Sequence, residues 1–148
     1  KWTEERKREI LDSRIGATTL LARELAKGGH HVRAFLSASA IGIYGDQDDR
    51  LLHEQAPPAP DDFLATVCQQ WEAAAQQVEQ QGIRTVILRI GIVLSPEGGA
   101  LVPLARTVKL MAGAPLGSGR QYMSWIHLDD LCRLLMQALE EPQWQGVY

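Results

Sequence analysis

The run Arg84-Thr85-Val86-Ile87-Leu88-Arg89-Ile90 constrains this chain more than any other segment. It is rich in β-branched residues and nearly continuous in apolarity, which is how a strand covered on both faces of a parallel sheet reads. Such a strand needs helices on both sides of its sheet, and helical patterns flank it. From Thr3 to Lys27, the residues Ile10, Leu11, Ile15, Leu21, Ala22 and Leu25 recur at helical spacing, with Thr3 as the cap and Gly28-Gly29 as the stop. Asp61 or Asp62 caps a second helix, whose apolar stripe runs from Phe63 and Leu64 through Val67, Cys68, Trp71, Ala74 and Ala75 to Val78. A third helical pattern spans Leu101 to Met111, and a fourth about Leu128 to Glu140, with Asp129 and Asp130 where negative charge suits the helix dipole. Val32 to Ser39 reads as a strand that ends in turn formers, and Tyr122 to Ile126 as a short extended piece. Pro57, Pro58 and Pro60 make the segment before the second helix a loop.

Alternating helices and strands predict an α/β fold with a doubly wound parallel sheet. Two or three strands are fewer than a sheet with its own ligand crevice normally has, and the chain opens in mid-helix without a Met. The expectation is therefore a single incomplete domain over residues 1–148, with material missing on the N-terminal side. The balance of 15 Lys and Arg against 18 Asp and Glu gives a net charge of −3, which argues against a broad basic surface for nucleic acid. No apolar run approaches the roughly 20 residues of a membrane span, and the opening residues are too charged for a signal peptide. Cys68 and Cys132 have no metal-type spacing; they read as small core residues of a cytoplasmic, reducing compartment.

Four local patterns in order carry a resemblance. They are Lys1-Trp2-Thr3-Glu4 through Glu9 to Arg14; Ser37-Ala38-Ser39-Ala40-Ile41-Gly42-Ile43-Tyr44-Gly45-Asp46; Trp71-Glu72-Ala73-Ala74-Ala75 with Leu88-Arg89-Ile90-Gly91-Ile92-Val93-Leu94 and Gly98-Gly99-Ala100; and Leu116-Gly117-Ser118-Gly119 with Ser124-Trp125-Ile126-His127-Leu128-Asp129-Asp130. Together they resemble the second part of an extended short-chain dehydrogenase/reductase, in the atypical branch of NAD(P)-dependent nucleotide-sugar epimerase-like proteins. The resemblance implies a partial Rossmann-like fold, with residues 95–130 contributing to a small substrate lobe. It also implies an N-terminal Gly-rich βαβ half that these residues lack, since no G-x-G-x-x-G opens a helix after a strand.

The resemblance assigns cofactor contacts to Glu9, Arg14, Ser37 and Val93, the Arg being suited to a phosphate by its forked donors. NADP is favoured over NAD. Ser39 and Tyr44, at the carboxyl end of a strand, become the catalytic candidates, because ligands of open α/β sheets sit at that end. Two departures from the family pattern matter. Ser39 sits five residues before Tyr44, where the family places its hydroxyl four before. The family's Tyr and Lys, four apart on the next helix, are also missing; the aligned positions are Leu64 and Cys68. Proton transfer would then fall to Tyr44, Glu54 or His127.

The expected function is an NAD(P)-binding epimerase or reductase-like protein with a small-molecule substrate, a nucleotide sugar being the candidate. The alternative is a non-catalytic NADP(H)-binding regulatory or interaction protein. His127 with Asp129 and Asp130 reads as helix capping rather than a metal site. Trp71 and Trp125 read as core. An incomplete sheet exposes an edge strand and apolar surface, so self-association to a homo-oligomer is a further expectation.

Overall fold

The computed structural model describes residues 3–115 and 117–148; Lys1, Trp2 and Leu116 of the sequence motifs lie outside them. The first helical pattern folds as α1 (Glu4–Leu11) and α2 (Ala17–Ala26), joined by a π-helical turn over Asp12–Gly16. The single helix expected over Thr3–Lys27 is thus interrupted. Asp12, Ser13 and Gly16 are weak helix formers. The Ser13 hydroxyl and Arg14 Nη1 both donate to the Ile10 carbonyl, at 3.1 and 3.2 Å, competing there with main-chain N–H groups. Thr3 caps the start as expected, accepting from the Arg6 amide.

Strand β1 (Ala34–Ala40) runs into a 3-10 turn over Ile41–Tyr44. Helix α3 (Phe63–Glu79) is capped by Asp62, which accepts from the Ala65 amide at 2.8 Å. Strand β2 (Arg84–Ile90) falls where the apolar run predicts it and pairs in parallel with β1. Val86, Ile87 and Leu88 are buried, each contributing on the order of 2 kcal/mol of burial free energy. Odd-numbered residues of β1 and β2 face α3, while Leu36, Val86, Leu88 and Ile90 pack with Ala138, Leu134 and Leu135. Those last three lie on α5 (Leu128–Glu140), so helices cover both faces.

Beyond β2 the described residues add short strands, only the third of which falls on a piece that the sequence reads as extended, Tyr122 to Ile126. These are β3 (Ile92–Ser95), β4 (Gly98–Gly99), β5 (Trp125–His127) and β6 (Gly146–Val147), with α4 (Leu101–Lys109) between β4 and β5. They complete two three-stranded sheets, ordered β1-β2-β6 and β4-β3-β5; every pairing is parallel except β3–β4. Gly91 makes the switch between sheets. A Cβ there would lie 2.5 Å from the Ser124 carbonyl oxygen, the same oxygen that accepts from the Ile92 amide at 2.9 Å. At the opposite end of β2, the Arg84 guanidinium donates to the carbonyls of Ala138, Leu139 and Trp144, tying the C-terminus of α5 to the sheet.

Two core expectations need correction. Cys68 is buried, but Cys132 is exposed, because Leu131, Leu134, Leu135 and Ala138 take the sheet-facing stripe of α5 and leave Cys132 off it. Trp125 is 64% exposed, since it begins the edge strand β5, and Trp71 is only partly buried. No helix among the described residues is long and apolar enough to cross a membrane.

Candidate functional site

Parallel strands β1 and β2 end together, and what they carry there is polar. Ser39 and Arg89 are register partners, and both side chains face α3. α3 answers with Glu72, a carboxylate on its otherwise apolar buried stripe. Arg89 grips Glu72 in a fork, Nε to Oε1 at 2.9 Å and Nη2 to Oε2 at 2.8 Å, and the Ser39 hydroxyl donates to Oε1 at 2.6 Å. The side chains of Arg89 and Glu72 are only 11% and 7% exposed.

The remaining Arg89 nitrogen, Nη1, donates to the Tyr44 hydroxyl and to the Glu54 carbonyl, both at 2.7 Å. One guanidinium therefore ties together β2, α3, the turn after β1 and the loop leading to α3. Its geometry, with planar forked donors spent on four oxygens, is one that Lys could not reproduce. Glu72 and Tyr44 both hold Arg89 firmly in its charged form. The ring of Tyr44 lies against the same cation, 5.2 Å from centroid to guanidinium carbon.

Sequence reasoning singled out Ser39 and Tyr44 but missed Glu72 and Arg89 as site residues. The signal was there. Each is a charged residue within a buried element, and such charges need partners.

The other sequence candidates lie apart from this network. Glu9 is exposed on α1 and pairs with Arg6 at 2.8 Å. Arg14 is exposed on the π turn, its guanidinium 5.7 Å from the Trp71 ring centre, while Trp71 Nε1 donates to Thr18. Ser37 is buried on β1, with its hydroxyl donating to the Ala38 carbonyl. Val93 is half-buried in β3 opposite Ile126. No hydrogen bond or ion pair among the described residues joins Glu9, Arg14, Ser37 and Val93 to one another. His127 caps α5, its Nδ1 accepting from the Asp129 amide at 3.2 Å. Cys68 sits beside Ser39 and Ala40, and burial pushes its thiol above the usual range.

Next to the network a cavity of about 700 Å³ opens at the carboxyl end of β1. Tyr44 and Ile41 form part of its wall, the loop from Gly45 to Leu52 another part, and Gln121, Tyr122 and Ser124 the far side. A cavity at the carboxyl ends of parallel strands is where open α/β sheets bind ligands.

A parallel sheet sandwiched by helices, with this strand-end site, defines a Rossmann-like protein of the short-chain dehydrogenase/reductase epimerase class. The chain belongs to the NAD dependent epimerase/dehydratase family, whose family model matches residues 1–147. Among relatives, an epimerase family protein of Mycobacterium bovis is 42% identical over 99% of this chain and 48% of its own length. The chloroplastic SDR39U1 homologue of Arabidopsis thaliana is 38% identical over 99% of this chain and 42% of its own. Among solved structures, the human epimerase family protein SDR39U1 with NADPH superposes with a TM-score of 0.92 at 33% identity, over 99% of this chain and 50% of that one. A nucleoside-diphosphate sugar epimerase of Corynebacterium glutamicum gives 0.85 at 36% identity, over 99% and 31%. The chain thus spans about half the length of the curated relatives it matches.

Proposed function

We propose that the protein carrying this chain binds NADP(H), in preference to NAD, and acts in the cytoplasm as an epimerase or reductase on a small molecule, with a nucleotide sugar as the candidate class. The observation that carries the reading is Tyr44, fixed by Arg89 on the wall of a cavity at the carboxyl end of β1. The residues present fit part of such a cofactor. Arg14 is exposed, and its hydrogen bonds among the described residues are made by Nη1, which leaves donors for a phosphate. No Gly-rich turn among these residues can cradle a pyrophosphate.

When bound, the nicotinamide supplies or accepts hydride. Tyr44 would present its hydroxyl proton to the substrate oxygen, oriented by Arg89; Ser39 would act through Glu72, which its proton already engages. Glu9 and Arg14 would flank the cofactor, with Ser37 and Val93 at the strands near its nicotinamide end. Residues 95–130 would supply the substrate lobe, whose Gln121, Tyr122 and Ser124 line the cavity.

The experiment is NADPH titration of the full-length protein that carries this chain, followed by quenching of its Trp fluorescence. Saturable quenching is the expected result, and none at millimolar NADPH rejects the reading. A non-catalytic NADP(H)-binding regulatory or interaction protein is the second reading. It is favoured by α3, which carries neither Tyr nor Lys between Phe63 and Glu79. Hydride turnover on any member of a panel of carbonyl compounds and nucleotide sugars would eliminate it.

A further inference from the structure

The cavity beside Tyr44 is lined unevenly in charge. Asp46, Asp48 and Asp49 stand on its wall against one cation, Arg50, whose Nη1 leans on Gln47 Oε1 at 3.4 Å. The rest of the lining is apolar or uncharged: Ile41 and Leu52 on one side, Tyr122 on the other. Tyr44 is 9% exposed. Its oxygen accepts from Arg89, and its own proton meets no acceptor among the described residues. Tyr44 belongs to the cavity wall, and its hydroxyl, held by Arg89 as an acceptor, still has its own proton to give.

An O–H donor and carboxylate acceptors match hydroxyl groups, which both give and take hydrogen bonds. Apolar and aromatic surfaces match the C–H faces of a saturated ring. The surplus of carboxylates works against a further negative charge. At about 4 Å in water, one such repulsion is worth about fivefold in affinity, and more where the wall excludes solvent.

We infer that this cavity takes an uncharged or cationic, hydroxyl-bearing ring and turns away a ring that carries a carboxylate. The inference rests on the reading of this strand end as the substrate site, and it narrows the substrate class. Any phosphate of the substrate must lie outside the acidic wall.

The test uses the full-length protein that carries this chain, with NADPH and three probes of one ring size: glucose, glucosamine and glucuronate. Binding is followed by saturation-transfer NMR, and NADPH binding by Trp quenching in the same samples. Glucose and glucosamine should bind, with glucuronate at least about tenfold weaker. The triple change Asp46→Asn, Asp48→Asn and Asp49→Asn should bring glucuronate level with glucose. High salt should narrow the gap in the unaltered protein, a check that needs no variant to fold. Glucuronate binding as well as glucose, a gap that neither the triple change nor salt narrows, or no binding by any ring overturns the inference. If NADPH binds in those samples, only the inference falls; if NADPH does not bind, the reading beneath it falls too.

Discussion

Ser39 and Arg89 face each other across the β1–β2 register, and both donate to the same oxygen, Oε1 of Glu72. The contact matters because it fixes the guanidinium from behind, leaving Nη1 free to reach forward to Tyr44 and Glu54. The strand-end turn and the loop before α3 are thus held to the sheet by one cation.

Arg89→Met should be severely destabilising. It strands the Glu72 carboxylate, 7% exposed in its side chain, without a counter-charge. The expected loss is about 3–5 kcal/mol in urea unfolding. Adding Glu72→Leu should recover most of that loss, because a well-packed apolar pair often replaces a buried ion pair at little cost. If the double variant is no more stable than Arg89→Met, the charge argument fails.

Gly91→Ala and Gly98→Ala should part company in thermal denaturation. The first places a methyl 2.5 Å from the Ser124 carbonyl oxygen at the switch between sheets, while the second meets nothing within 4 Å. The first should cost about 1–3 kcal/mol, and the second should stay within about 0.5 kcal/mol of the parent. Equal midpoints would show that β2 and β5 can separate without penalty.

Asp62→Ala removes the oxygen that accepts from the Ala65 amide at the start of α3. A loss of about 1 kcal/mol is expected from such a cap. Asp62→Asn should retain most of the stability, since its side-chain oxygen can take the same bond.

Cys68 makes stability pH-dependent on the alkaline side. Burial raises its folded pKa above the ordinary thiol value of 9.0. The neutral thiol therefore contributes its full stability below that value, and the contribution is lost as pH climbs through the folded pKa. Unfolding free energy measured from neutral to alkaline pH should fall more steeply in the parent than in Cys68→Ala. A thiol reagent should modify exposed Cys132 in the native protein and reach Cys68 only after unfolding.

How much of this was legible beforehand follows from where the signal lies. β2 and α5 fall on their sequence-read residues, because a β-branched apolar run and a capped amphipathic stretch each state their structure locally. α3 begins at its Asp cap for the same reason. β3, β4 and β6 carry no such pattern. They are two to four residues long and become strands only by pairing with neighbours. The interruption of the first helix at Asp12–Gly16 was equally hidden, since it depends on which side chains reach the Ile10 carbonyl.

The sequence by itself determined the layered α/β class and the family, and it offered Ser39 and Tyr44 as candidates at the strand end. Those are matters of residue type, order and period. Only the tertiary structure decided that Glu72 and Arg89 join them, that Cys132 and Trp125 lie outside the core, and that an acid-lined cavity opens beside Tyr44. The physical reason is that a buried charge must find its partner through space. Glu72 and Arg89 are 17 positions apart in the chain, and only the packing of α3 on β2 brings their side chains within 3 Å.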